Sequence, residues 1–297
     1  MTIIGMRKVS YIISGVLVAV SVVAILLWGL KLGIDFTGGA LLEVEYNEVR
    51  PSHDQLVGAI QPLNLGNIVI QPSDERGVLI RMKDLDESGH QEVVAAISRL
   101  GELTEKRFDS IGPTIGAELR RKSFWAIALV VIMIILYISW AFRHVSRPMS
   151  SWKYGIAAVI ALIHDVTIPT GVFAVLGHYK GIEVDTLFVT ALLTILGFSV
   201  HDTIVVFDRI RERLHSKSGV RDFEDVVEDS IKSTIVRSIN TSLTVMFVML
   251  ALYLFGGASI KYFALAILIG VFFGTYSSIF IASALLVTWY RFSSARS

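Results

Sequence analysis

The stretch GFSVHDTIVVFDRIRER, residues 197–213, begins with the apolar pattern of a membrane span and ends as a basic surface. His201 and Asp202 interrupt its apolar part. A charged side chain at the centre of a bilayer costs at least about 2.5 to 3.5 kcal/mol, and such residues are rare and usually functional. Asp202 is therefore the first candidate for a functional residue, within a predicted transmembrane helix.

The composition indicates a membrane protein with a water-exposed portion. Of the 297 residues, 53% are hydrophobic and 18% are charged, which is too apolar for a soluble domain and too charged for spans alone. The chain has no cysteine, which excludes disulfides and thiolate metal sites. No run of charge indicates nucleic-acid binding.

Six stretches are long and apolar enough to cross a hydrocarbon core of about 30 Å at about 1.5 Å per residue. They are residues 9–30, 124–142, 154–177, 186–207, 238–257 and 262–290. The first follows Arg7 and Lys8 like a signal sequence, but its apolar run is too long and no small-residue cleavage site precedes Lys31. We expect it to remain as an uncleaved membrane anchor.

The distribution of positive charge predicts the orientation of the spans. Six spans place the N-terminus, the C-terminus and the loops at 143–153 and 208–237 on one side. That side holds 14 of the 16 Lys and Arg residues found outside residues 31–123, so it is predicted to be cytoplasmic. The predicted organisation is the N-terminal end with the first span at 1–30, an extracytoplasmic domain at 31–123, and a bundle of the other five spans at 124–297 with a cytoplasmic loop at 208–237.

The predicted extracytoplasmic domain alternates between strand and helix patterns. The predicted strands are 40–46, 67–72, 77–83 and 104–111, and the predicted helices are 52–63 and 86–100. The order βαββαβ predicts a small α+β domain of the ferredoxin-like type. Nothing in it indicates catalysis, and His53 and His90 are interpreted as solvated surface residues. Before the first strand, GIDFTGG at 33–39 contains three glycines that permit a tight backbone path.

The third span contains a second His-Asp pair, His164 and Asp165, in the stretch ALIHDVTIP. The third and fourth spans run in opposite directions, and counting along them gives Asp165 and Asp202 overlapping depths in the cytoplasmic half of the membrane. We therefore expect the two carboxylates to lie close together if the helices are neighbours.

The fifth span begins with polar residues that form a predicted polar stripe, which consists of Arg237, Asn240, Thr241 and Thr244. Arg237, Thr241 and Thr244 share one helical face by their spacing of four and then three residues. Arg237 is predicted to be the counter-charge of Asp202 or Asp165. Moving the arginine away would change the proton affinity of the acid, which is the minimum that proton coupling requires.

The sixth span carries small residues at strict four-residue intervals. These residues are Gly270, Gly274, Ser278 and Ala282. Such a face lets another helix approach closely, so its predicted role is helix packing.

Other interpretations of the intramembrane acids are open at this point. Asp202 could be a structural charge. An intramembrane aspartyl protease would also place two aspartates on neighbouring spans, but GFSVHD lacks the GxGD pattern of that class and the polar stripe would be unexplained. A metal carrier could use both His-Asp pairs, but adjacent side chains diverge by about 100° around a helix, which disfavours a compact cage. We expect no metal and no cofactor, with H⁺ and possibly Na⁺ as the coupling ion.

The whole chain resembles the SecF-type members of the SecD/SecF family, which belongs to the resistance-nodulation-division superfamily. The motifs GIDFTGG, ALIHD, GFSVHDTIVVFDRIRE, RSINTSLT and GVFFGTYSS occur in the order and spacing of that family. The resemblance implies a six-helix half of a pseudo-twofold bundle, a SecD-like partner and association with the SecYEG channel. It also implies use of the proton motive force to help translocating preproteins move outward.

The resemblance assigns the proton path to Asp202 and Arg237, and the third-span acid of the family matches Asp165. Many relatives carry Asn at the position of His201, which we include in the predicted proton relay. The sequence therefore predicts a non-enzymatic, proton-coupled subunit in the bacterial inner membrane. The alternative is a stand-alone proton-coupled exporter of small molecules or lipids, although such exporters usually carry two six-span halves.

Overall fold

The structure is a computed structural model that describes residues 2–73, 75–142, 149–216 and 222–294. The chain forms two compact units, one made of Met1–Lys31 with Trp125–Ser297 and the other of Leu32–Phe124. Parts of the predicted cytoplasmic loops, at 143–148 and 217–221, lie outside the described residues.

The elements follow one another along the chain with short connections. In order they are α1 (Arg7–Trp28), α2 (Ile34–Thr37), β1 (Gly39–Tyr46), α3 (His53–Ile60), β2 (Val69–Ser73), β3 (Gly77–Met82), α4 (Glu87–Ser98), β4 (Leu103–Ile111), α5 (Pro113–Ala141), α6 (Ser151–Lys180), α7 (Thr186–Ser216), α8 (Phe223–Phe255), α9 (Ala258–Ser277) and α10 (Ser283–Ser294). A π-helical turn, Ser278–Ala282, joins α9 to α10.

Six helical segments in the described part of the chain are long and apolar enough to cross a membrane. They are α1, α5, α6, α7, α8 and the continuous segment from α9 to α10, and they correspond to the six predicted spans. Half or more of the most apolar stretch of α6, α7 and α9–α10 is buried within the unit, whereas in α5 and α8 most of that stretch is exposed. The interior of the bundle is therefore formed around α6, α7 and α9.

The beginning of α8, residues 223–237, has one apolar face and is continuous with the fifth predicted span. Phe223, Val226, Val227 and Ile231 are buried, because the apolar face of this stretch packs into the bundle core. The 30-residue predicted loop at 208–237 is correspondingly shorter, since α7 continues to Ser216 and α8 begins at Phe223.

The first turns of α8 hold the ends of two other helices. The Glu228 carboxylate accepts hydrogen bonds from the backbone amides of Ile3 and Ile4, at 3.0 and 2.9 Å. These amides belong to the start of a helix, where N–H groups lack intrahelical partners and a carboxylate is favourable. Glu224 pairs with Arg291 of α10. The start of the first span and the end of the last are thus both bound to α8.

The second unit is a four-stranded antiparallel sheet in the order β2-β3-β1-β4, with α3 and α4 following β1 and β3 in the chain. Its core contains Leu42 and Ile80, which are paired across β1 and β3, and Leu56 and Ile97 from the two helices. Tyr46 donates a hydrogen bond to the Ile97 carbonyl at 3.2 Å, and burial raises the pKa of Tyr46 to about 12.

The structure corrects one expectation about this unit. His53 is exposed as predicted, but His90 is buried. The His90 ring stacks on Phe108 with centroids 3.8 Å apart, and its Nε2 lies 3.0 Å from Glu105 Oε2. The reason is helical periodicity, because His90 shares the inward face of α4 with Val93 and Ile97, both fully buried.

The GIDFTGG motif meets the start of α5 at very short range. Gly38 has φ of +75°, and a Cβ at this position would lie 2.8 Å from Pro113 Cα. A Cβ at Gly116 would in turn lie 2.8 Å from Gly38 N. The motif therefore requires glycine for a close backbone approach as well as for its backbone conformation.

Candidate functional site

Asp165 of α6 is completely buried and held by three side chains from three helices. Its Oδ1 lies 2.8 Å from His164 Nδ1. Its Oδ2 accepts hydrogen bonds from Ser199 Oγ of α7 at 2.5 Å and from Ser277 Oγ of α9 at 2.7 Å. The carboxylate is thus a junction between α6, α7 and α9.

Asp202 of α7 is also buried but has fewer partners. Its Oδ1 accepts a hydrogen bond from Ser238 Oγ of α8 at 2.7 Å. Its Oδ2 is buried and has no hydrogen-bond partner among the described residues. A buried carboxylate oxygen without a donor is costly, so this oxygen is a natural place for a proton or a bound water.

Further hydroxyl groups connect α9 to both neighbouring helices. Thr203 Oγ1 and Ser278 Oγ are 2.8 Å apart, and Ser242 is hydrogen-bonded to Thr275. Thr275 also lies beside the Asp202 carboxylate. The Thr275–Ser278 segment therefore contacts the surroundings of both acids.

The small residues of the sixth span lie against a row of α7 with the same spacing. A Cβ at Gly270 would come within 2.3 Å of the Ile195 side chain, and one at Gly274 would lie 3.3 Å from Ser199 Cβ. One turn further, Ser278 meets Thr203. On the neighbouring position of the same segment, Ser277 reaches Asp165 of α6.

The structure places the polar stripe on the outward face of α8, with Arg237 still within electrostatic reach of Asp202. Arg237, Asn240, Thr241 and Thr244 are all exposed in this chain, whereas Ser238 is buried against Asp202. Since consecutive residues differ by about 100° around a helix, Ser238 faces inward and Arg237 outward. The predicted counter-charge therefore lies beside the acid site at the same level and outside the core.

The two histidines of the His-Asp pairs have different environments. His164 is buried near the rings of Phe273 and Tyr276, each with its centroid 6.1 Å away, and its Nε2 has no hydrogen-bond partner among the described residues. His201 is exposed on α7. Within the described residues, no three His, Cys, Asp or Glu side chains are grouped as a metal site would require.

The family is decided by two matches that together cover most of the chain. Residues 92–292 match the family described as protein export membrane protein SecD/SecF, C-terminal, and residues 29–48 match the SecD/SecF GG motif. The chain belongs to the SecD/SecF family. Six apolar helices in a member of this family make it a multi-pass membrane protein.

Full-length SecF relatives and SecDF structures agree with this membership. The chain is 44% identical to protein translocase subunit SecF of Thermobaculum terrenum, over 97% of this chain and 93% of that one. It is 40% identical to protein translocase subunit SecF of Anaerolinea thermophila, over 97% of this chain and 94% of that one. The crystal structure of SecDF from Thermus thermophilus, a translocon-associated membrane protein, is similar with a TM-score of 0.83 and 32% identity. It matches 97% of this chain, which spans 38% of the SecDF chain.

Sequence reasoning on this SecD/SecF-family chain identified both acids but missed the hydroxyl groups that bind them. Ser199 lies in GFSVHD with Asp202, Ser238 lies in RSINTSLT with the polar stripe, and Ser277 lies in GTYSS with the small residues of the sixth span. The sequence signal for these serines was their spacing. Ser199 lies three residues before Asp202, on the same helical face, and Ser238 is next to Arg237. Spacing alone does not state which helix face is inward, so it does not separate the roles of Ser238 and the adjacent Arg237.

Proposed function

We propose that this SecF-family translocase subunit uses proton movement through its intramembrane acids to promote late-stage export of preproteins through the SecYEG channel. The observation that carries the proposal is a pair of buried carboxylates, Asp165 and Asp202, on consecutive spans. Asp202 has a buried oxygen without a donor. Intramembrane acids that face the interior of a bundle mark ion and proton pathways.

Protonation of Asp202 would remove a charge from the bundle interior and give its free oxygen a proton. A proton that crosses the full membrane potential releases about 2.3 kcal/mol per 100 mV. That is enough to bias a two-state equilibrium by one to two orders of magnitude. The proposed relay consists of Asp202, Asp165, Arg237 and His201, in a non-enzymatic subunit with H⁺ as coupling ion, and Na⁺ as the alternative.

A SecD-like partner is supported by the outward polar stripe of α8. Arg237 is exposed and adjacent to Ser238, which contacts Asp202, so the backbone of Arg237 lies at the level of that acid. A charged group at this level is unfavourable against lipid tails and needs another protein surface. We propose that a SecD-like subunit covers this face and that His201 contacts the same subunit. Arg237 would then stand between the acids of the two subunits.

The bundle type, the membrane and the fold of the smaller unit are also proposed from the family resemblance. We propose that the helical unit is one half of a resistance-nodulation-division bundle, in the bacterial inner membrane with both termini cytoplasmic. The βαββαβ order and the strand order β2-β3-β1-β4 support a ferredoxin-like extracytoplasmic domain. The Thermus SecDF is translocon-associated, which supports the proposed association with SecYEG.

The decisive experiment compares two carboxylate removals on α7. Export of a secreted protein is followed by pulse-chase in cells carrying wild type, Asp202→Asn or Asp208→Asn, with and without an uncoupler. Asp208 is the matched control, because it is exposed and pairs with Arg211 at 2.8 Å. We expect Asp202→Asn to export as slowly as a deletion and Asp208→Asn to export at the wild-type rate.

Two outcomes would overturn the proposal. Wild-type export by Asp202→Asn would make the acid structural. Failure of the chain to co-purify with a SecD-like subunit would favour the stand-alone exporter.

A further inference from the structure

A single oxygen atom joins three membrane helices. Asp165 Oδ2 of α6 accepts from Ser199 of α7 and from Ser277 of α9, and all three side chains are essentially free of solvent contact. Gly274 leaves room beside this junction, because a Cβ there would lie 3.3 Å from Ser199 Cβ, which is closer than an ordinary contact. The two hydroxyls converge on one acceptor from opposite helices.

The backbone changes its helix type directly after Ser277. Ser277 is the last residue of α9, and the π-helical turn Ser278–Ala282 begins at the next residue. Ser283 Oγ donates to the Ser278 carbonyl at 2.9 Å, across five residues. Single π-turns within α-helices occur frequently at functional sites, and conversion between π and α spacing offers a helix two discrete arrangements.

We infer that Ser199 and Ser277 are positioning residues that set the proton affinity of Asp165 and transmit its protonation state to α9. This inference rests on the proposed proton-coupled function. An ionised carboxylate is acceptor-only and can accept from both hydroxyls at one oxygen. When a proton arrives along the relay and bonds to Oδ2, that oxygen becomes a donor. The serine that accepts this proton must turn its own hydroxyl hydrogen away from Oδ2, so one of the two hydrogen bonds reverses its direction and the contact of Asp165 with α7 or α9 is rearranged.

The titratable groups around Asp165 in the described part of the chain fit this role. His164 contacts the other carboxylate oxygen, Oδ1, from α6 itself. On α7, Asp202 lies three residues after Ser199. On α9, Tyr276 precedes Ser277 and has its ring near His164, with its hydroxyl donating to the Ser10 carbonyl of α1 at 3.3 Å. The serine pair on Oδ2 therefore acts on an atom that the histidine does not contact.

The test is a pH titration of the Asp165 carboxyl group by infrared difference spectroscopy on the purified full chain in lipid. The protonated-carboxyl band of Asp165 is identified as the one lost in Asp165→Asn. Removing a hydrogen-bond donor destabilises the ionised form of Asp165 relative to the protonated form. Ser277→Ala should therefore move the titration midpoint of Asp165 upward by about one pH unit, a tenfold change in proton concentration. Ser277→Thr keeps the hydroxyl and should restore the wild-type midpoint.

A second serine variant and a control variant complete the titration experiment. Ser199→Ala should give the same upward shift and replaces Ser277→Ala if that variant does not fold. Thr190→Val is the matched control, since Thr190 lies on α7, is exposed and donates only to the Thr186 carbonyl of its own helix. It should titrate like wild type.

An unchanged midpoint in both serine variants would overturn the inference. The inference is also overturned if no infrared band of Asp165 titrates between about pH 4 and about pH 10. Because this readout does not involve export, an unchanged midpoint together with slow export by Asp202→Asn refutes the serine roles alone. Wild-type export by Asp202→Asn refutes the proposed function.

Discussion

Gly171 of α6 provides a quantitative test of how closely α1 packs against the bundle. A Cβ at this position would lie 2.4 Å from Ser21 Cβ, 2.5 Å from Ser21 Cα and 2.7 Å from Ser21 Oγ. Ordinary carbon contacts are about 3.5 to 4.0 Å, so Gly171→Ala requires α1 to move by about 1 Å. Because one of the clashing atoms is backbone, rotation of the serine side chain does not relieve the overlap.

The expected cost of Gly171→Ala is the cost of overpacking a close contact, about 1 to 3 kcal/mol. It is measured as the loss in free energy of unfolding in mixed detergent micelles. Gly15→Ala is the matched control on α1, because a Cβ at Gly15 has no neighbour within 4 Å. Alanine is the better helix former, so Gly15→Ala should be neutral or stabilising.

A double variant separates steric overlap from other causes. Ser21→Gly removes the Cβ and Oγ contacts but leaves the Cα at 2.5 Å, so it should recover part of the loss in Gly171→Ala. Wild-type stability of the single Gly171→Ala variant would refute the packing of α1 against α6 described above.

Three other predictions concern the ends of the helices and the surface of the smaller unit. Ser52→Ala removes a reciprocal capping box at the start of α3 and should lower the free energy of unfolding by about 0.5 to 2 kcal/mol, as measured by denaturant titration. The Lys106 ammonium, 2.8 Å from Glu45, holds the pKa of that carboxyl below its usual value. The stabilisation from this pair is therefore present at neutral pH and is lost as the pH falls through the lowered pKa. Lys106→Met should return that pKa towards its ordinary range, which NMR titration would detect. Glu228→Ala leaves the amides of residues 3–4 without their acceptor and should increase their hydrogen exchange by about tenfold or more, whereas unchanged exchange would show that the carboxylate does not bind them.

The elements that the sequence predicted well are those with strong periodicity. Six long apolar segments and the alternation of strands and helices in residues 39–111 follow from hydrophobic pattern, which depends on local composition. The acids Asp165 and Asp202 were recognisable because a charge within an apolar run is costly in any arrangement.

The features that the sequence did not predict depend on which face of a helix is turned inward. Arg237 and Ser238 are neighbours, and only the packing of α8 decides that the serine contacts Asp202. The burial of His90 was not predictable from residue type, because histidine is intermediate in burial and the stacking on Phe108 is a tertiary contact between α4 and the sheet. A polar residue type is a weak guide to burial when a partner of matching chemistry lies on another element.

The departure of the sixth span from regular α-helix directly follows Ser277, which contacts Asp165. A helix that continued in α form past Ser277 would change the directions of all later side chains by a fraction of a turn. The π-turn lets Ser277 and Ser278 face Asp165 and Thr203 while the residues after it keep their own packing on the core.

The contact between Glu228 and the start of the chain has a consequence for biosynthesis. The amide of Ile3 is separated from its acceptor by 225 residues. At about 5 to 20 residues per second, the ribosome needs roughly 10 to 45 seconds to synthesise that interval. During this time α1 is already made, yet the carboxylate that holds its first turn does not exist. The segment before α1 therefore has to wait for α8 before its amides gain this acceptor, although α1 itself can already pack against α6.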